Sequence, residues 1–154
     1  MRGFERHQDG SISAKIDRDE ALLLQSLASQ LATLLQSPDD GDPAVIRLLP
    51  DAYPDDADAS AEFRRFTQDG LVERKLHNAT LVTTTLSAAV DSGELSLNPG
   101  ETLAWMKALT DIRLTLASRL GIEREDDRSA DIVLQDLYDW LGFVQNSLVE
   151  VLDS

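Results

Sequence analysis

The chain has 154 residues, 42% of them hydrophobic, and a formal net charge of -14. It contains no cysteine, which excludes disulfides, thiolate nucleophiles, sulfur-ligated zinc and thiol-based redox sensing. The acidic excess makes unassisted binding to duplex DNA or RNA unfavourable, because like charges repel the phosphate backbone.

The excess is concentrated in two places. Asp39 to Glu62 holds eight acids against Arg47, and Glu123 to Ser154 holds nine acids against Arg124 and Arg128. Each stretch comes to -7, and the remainder balances at eleven acids to eleven bases. No run reaches the apolar length of a membrane span, and Glu5 and Asp9 interrupt the first ten residues where a signal peptide needs an apolar core. A single cytoplasmic domain over 1–154 is the expectation.

The first expected element is a β-hairpin within 1–16, its strands Phe4 to Gln8 and Ser11 to Ile16 flanking an Asp9-Gly10 turn. Ile12, Ala14 and Ile16 alternate with Ser11, Ser13 and Lys15, so one face is apolar and must pack against helices or a second copy. Asp17 and Glu20 have capping-box spacing, and Leu23, Leu27, Leu31, Leu34 and Leu35 then recur at helical spacing until Pro38. A short helix is expected over Ala44 to Leu49, inside an acidic loop region near 38–58 whose stretch from Pro50 to Asp58 is rich in Pro and Asp.

Ala59 to Gln68 places Ala59, Phe63 and Phe66 on one stripe before Gly70 interrupts it. Leu71 to Ala89 reads as a longer helix burying Leu76, Leu81, Val82, Leu86, Ala89 and Val90, although Thr83, Thr84 and Thr85 favour strand. Asn98, Pro99 and Glu101 form the clearest helix start, with Leu103, Met106, Leu109, Ile112, Leu116 and Leu120 as its apolar stripe and Gly121 as its stop. A final helix from about Arg128 to Val151 is expected to turn Val133, Leu134, Leu137, Leu141, Val144, Leu148 and Leu152 inward. The fold class is therefore mainly α, a helical domain of about five helices with an N-terminal β-hairpin.

Chemistry-bearing patterns are sparse. His7 and His77 lack metal-ligand spacing, and Asp39-Asp40-Gly41-Asp42 lacks the rest of a calcium loop, so no metal is expected. There is no glycine-rich phosphate loop and no serine elbow, so neither a cofactor nor a catalytic constellation is expected. Arg64, Arg65, Arg74 and Lys75 form two basic pairs around Gly70, and Arg113 lies on the Asn98 helix. Their guanidinium and ammonium groups suit carboxylates, either on a partner or within this acidic chain. Tyr53 and Trp140 are the aromatic candidates for a contact surface.

The segments Arg47-Leu48-Leu49-Pro50-Asp51-Ala52-Tyr53, Ala61-Glu62-Phe63-Arg64-Arg65, Trp105 followed by Leu109-Thr110-Asp111-Ile112-Arg113-Leu114, and Asp136-Leu137-Tyr138-Asp139-Trp140-Leu141 carry a resemblance. The chain resembles an actinobacterial family of uncharacterised-function domains that includes the oxidative-stress transcriptional regulator AosR. That resemblance implies a non-enzymatic regulator or adaptor working with the transcription machinery, through a sigma factor or an RNA polymerase component. Redox control in the characterised branch uses a cysteine pair, which this chain lacks, so thiol sensing does not carry over.

Candidate contacts with a protein partner are then Arg64, Arg65, Arg74, Lys75 and Arg113, with Tyr53 and Trp140. A homodimer is also compatible with the apolar faces of the hairpin and the last helix. Two alternatives remain open: direct DNA binding through Arg64, Arg65, Arg74 and Lys75, and carboxylate-dependent hydrolysis around Asp111 or Asp136.

Overall fold

A computed structural model describes residues 1–39, 41–49, 58, 69–122 and 131–153. The described elements run β1 (Glu5–Arg6), β2 (Ile12–Lys15), α1 (Arg18–Gln36), α2 (Pro43–Leu48), α3 (Asp69–Ser92), β3 (Glu94–Leu97), α4 (Pro99–Leu120) and α5 (Ile132–Asp153). The chain is mainly helical with an N-terminal antiparallel β1–β2 pair, as its patterning predicts.

Gly10 takes a positive φ of 87° at the hairpin turn, a conformation open to glycine without steric cost. The hairpin does not stand alone. β3 pairs antiparallel with β2, Ile12 opposite Leu97 and Ala14 opposite Leu95, giving the order β1-β2-β3. All four of those side chains are buried, which resolves how the apolar ribbon is covered. This third strand was not expected. Its pattern Glu94-Leu95-Ser96-Leu97 does alternate with period two, but over only four residues between two long helices.

The helix starts follow their caps. Glu20 accepts the Asp17 N–H at 3.0 Å, Asp42 accepts from Ala44 N at 2.9 Å, and Asn98 and Glu101 exchange two bonds at 2.8 and 2.9 Å. At the far end of α4, Gly121 adopts φ 74° and stops the helix in the left-handed conformation. The threonines of α3 stay helical by turning their hydroxyls onto carbonyls of the preceding turn. Thr83 and Thr84 both donate to Thr80 O, and Thr85 donates to Leu81 O, at 2.8 to 2.9 Å. Gly70 lies in the first turn of α3, and the stripe expected over 59–68 lies outside the described residues.

α3 packs on α1 and on α4, and α4 in turn carries α2 and α5. Trp105 sits at the centre with no exposed surface, its indole N–H donating to Thr85 Oγ1 at 2.9 Å. Ala108, Leu109 and Ile112 continue that face into the core.

The inward phase of α1 and α4 differs from expectation, while α5 buries Leu141, Val144 and Leu148 as expected and departs only at its ends and in the polar residues it also buries. On α1, Leu24 is buried and Leu23 is exposed. On α4, Leu103 is 57% exposed, while Trp105, placed beside the stripe by spacing, lies within it. On α5, Val133 is 78% exposed and Leu152 is also outward, whereas Gln135, Gly142, Ser147 and Val151 are buried. α1 and α4 are rich enough in apolar residues that more than one stripe fits the period, and packing against neighbours selects one.

Replacing Leu109 with Ala should therefore lower unfolding stability by about 2–5 kcal/mol through cavity formation. The Leu103→Ala change should cost less than about 0.5 kcal/mol, as at exposed positions generally. Urea titration of both variants reads the phase of α4 directly.

Candidate functional site

The phase of α4 brings two of the expected residues together. Asp111, only 3% exposed, accepts from Lys75 Nζ of α3 at 2.7 Å. Asp111 Oδ2 is buried without a hydrogen-bond partner. Burial raises the Asp111 pKa above its ordinary 3.8, while the hydrogen bond and charge of Lys75 act in the opposite direction. A surface hollow of about 340 Å³ opens beside the pair, lined by Leu71, Arg74, Asn78, Lys107 and Thr110 as well as Lys75 and Asp111.

A smaller hollow of about 140 Å³ shares Thr110 and continues toward α5 along Arg113, Leu114, Ala117, Tyr138 and Gln145. Arg113 is half-buried there, its guanidinium carbon 4.5 Å from the centroid of the Tyr138 ring. Its Nη1 donates to Gln145 Oε1 at 3.1 Å, and its Nε is buried without a partner. The same Gln145 amide donates to Thr110 Oγ1 at 2.7 Å and to Met106 O at 3.3 Å, so one side chain holds α5 to two turns of α4.

Among the described residues Arg74, Lys107 and Arg113 make no ion pair, in contrast to Lys75. Arg74 and Lys107 are exposed. Trp140 is half-buried and packs against the core from α5. Tyr53, Arg64 and Arg65, together with Pro50 to Ala57 of the acidic loop, lie outside the described residues. Lys107 was not among the expected contacts, because the residues around it were assigned to a buried stripe. Its spacing from the truly outward Leu103 is the signal that would have found it.

The two acids named as alternative centres of hydrolytic chemistry differ in setting. Asp111 is buried against Lys75, and Asp136 is exposed on α5. Among the described residues no group of three or more His, Asp or Glu is placed to hold a metal ion, and no helix is long and apolar enough to cross a membrane. In the acidic turn expected to be solvated, Asp39 Oδ1 accepts from Gly41 N at 2.9 Å. Asp42 receives both terminal nitrogens of Arg119, at 2.6 and 2.8 Å.

These features define a mainly helical domain with a three-stranded antiparallel sheet, in which Arg74 of α3 and Lys107 and Arg113 of α4 make no ion pair among the described residues. The chain belongs to the family described as a domain of unknown function, DUF2017, whose model matches residues 1–152. It is similar to the putative oxidative stress regulator AosR of Mycobacterium leprae, 34% identical over 127 residues that cover 72% of this chain and 58% of that protein. It is also similar to the oxidative stress regulator AosR of Mycobacterium tuberculosis H37Rv, 30% identical over 172 aligned positions, covering 86% of this chain and 78% of that protein. The chain thus spans under two thirds of the length of the first of these relatives. No solved structure matches it.

Two titrations follow from this geometry with opposite signs. The Arg119 hydrogen bonds hold the Asp42 carboxyl at about 2, below its ordinary 3.8. The stabilisation from that pair is complete above about pH 4 and is lost as the pH falls toward about 2. Arg119→Gln should remove at most about 1 kcal/mol, because the pair is largely solvated, and only on the neutral side of that window. Denaturation of both forms across the acid range measures it.

Asp111 behaves in reverse. Because its pKa is raised in the folded state, protonation favours folding, and stability falls as the pH rises from 3.8 through the folded pKa. Asp111→Asn removes that dependence. The stability of the wild type relative to this variant should therefore decrease as the pH is raised from about 3.5 to about 7, read as a difference in urea midpoints.

Proposed function

We propose that this chain is a non-enzymatic regulator or adaptor that acts on transcription through contact with a protein partner, a sigma factor or an RNA polymerase component. The observation that carries the contact is that Arg74 of α3 and Lys107 and Arg113 of α4 make no ion pair among the described residues, in a chain whose net charge is -14. Cations left unpaired amid so many internal acids are available to carboxylates outside the chain. The transcriptional part of the reading is supported by the regulators that share its family, which are named for oxidative stress.

Within this reading Arg74 and Arg113 contact the partner, and Lys75 positions Asp111 between them rather than reaching outward. Trp140 supports the α5 side of the surface, and Arg64, Arg65 and Tyr53 are further candidates for the contact from their chemistry alone. With no cysteine in the sequence, this chain brings no thiol of its own to the interaction.

In-cell crosslinking followed by mass spectrometry, with and without oxidative stress, should recover a transcription protein, and the yield should be unchanged by a thiol reductant. Recovery of none under either condition overturns the reading.

A further inference from the structure

The outward stripe of α4 has a specific chemistry. Leu103, Lys107, Thr110 and Leu114 follow one another at spacings of four, three and four, which places them on one helix face. Leu103 is exposed and Leu114 half-buried, so apolar surface lies at both ends of the stripe with Lys107 and Thr110 between. Thr110 joins the two hollows described above into one groove, bordered by α3 on one side and by α5 on the other. The stripe from Leu103 to Leu114 is about 16 Å long at the rise of an α-helix.

Charge along this groove opposes that of the rest of the chain. Lys75 is neutralised by Asp111, leaving Arg74, Lys107 and Arg113 uncompensated among the described residues. Arg113 is also held in place before any partner arrives. Stacking on Tyr138 and the bond to Gln145 fix the guanidinium, while Nη2 carries no hydrogen bond among the described residues. A fixed guanidinium loses little freedom on meeting a carboxylate, which favours it as a specific anchor.

We propose that this groove docks a short acidic segment of the partner that also carries leucine-like side chains. Its carboxylates meet Arg74, Lys107 and Arg113, and its apolar side chains cover Leu103 and Leu114. This rests on the reading that the chain acts through a protein partner, and adds the chemistry of the contact. A peptide fits better than a phosphate backbone because apolar side chains bracket the cations and the net charge of -14 repels a polyanion of duplex length.

The test uses the full chain and a short fluorescein-labelled peptide of glutamates and leucines, with a lysine and leucine peptide of the same pattern as control. Fluorescence anisotropy should show saturable, salt-sensitive binding of the acidic peptide only. The Arg74→Glu/Lys107→Glu variant, changed at two exposed positions, should keep its circular dichroism and weaken that binding about tenfold or more. It should also lose the crosslinked cellular partner.

Unchanged affinity in the folded variant, preference for the basic peptide, duplex DNA binding lost in the same variant, or self-association abolished by it would each overturn the proposal. Partner recovery that survives in the variant overturns the groove and leaves the adaptor reading standing. Absence of any transcription protein from the wild-type crosslinks removes that reading itself.

Discussion

The burial of Trp105 is the constraint on which the remaining geometry depends. Its ring is fully enclosed, and its indole N–H must find an acceptor inside the protein, which Thr85 Oγ1 supplies. Ring burial and that bond together are satisfied in the observed rotation of α4 against α3. With Trp105 inward, Ala108, Leu109 and Ile112 complete the core, Asp111 turns toward Lys75, and the Leu103 to Leu114 stripe is left outside. Thr85 serves because its hydroxyl also bonds back to Leu81 O, so the acceptor itself is held in position.

Much of the architecture was legible where a local rule had few competitors. Asn98-Pro99 with Glu101 and the Gly121 stop bounded α4 correctly, since capping and termination are settled within one turn of chain. The Asp9-Gly10 turn bounded the hairpin for the same reason. Phase was legible less well. In α1, adjacent apolar residues such as Leu23 and Leu24 present two acceptable stripes, and in α4 Leu103 and Trp105 do the same, so that only the neighbouring helix chooses. β3 escaped notice because four residues of alternation carry little weight between helices, and its partner strand lies about eighty residues earlier in sequence.

The candidate site divides along the same line. Arg74, Lys75 and Arg113 could be named as cations from sequence, but their different fates could not. Lys75 is taken by an aspartate 36 residues away, whereas Arg113 is held by an aromatic ring and an amide from the last helix. Such pairings depend on helix–helix docking, which no local spacing encodes. The outward direction of Lys107 was hidden by the same error that placed Leu103 inside.

The attachment of α5 has a mechanical consequence. Among the ties between described residues, Gln145 grips Met106 O, Thr110 and Arg113, and Ser147 Oγ in the same turn accepts the Phe4 N–H at 2.8 Å. Sliding this helix along its axis would rupture all of those ties together. The stack of Arg113 on Tyr138, which floors one side of the cationic groove, therefore keeps its register only while that turn stays seated on α4.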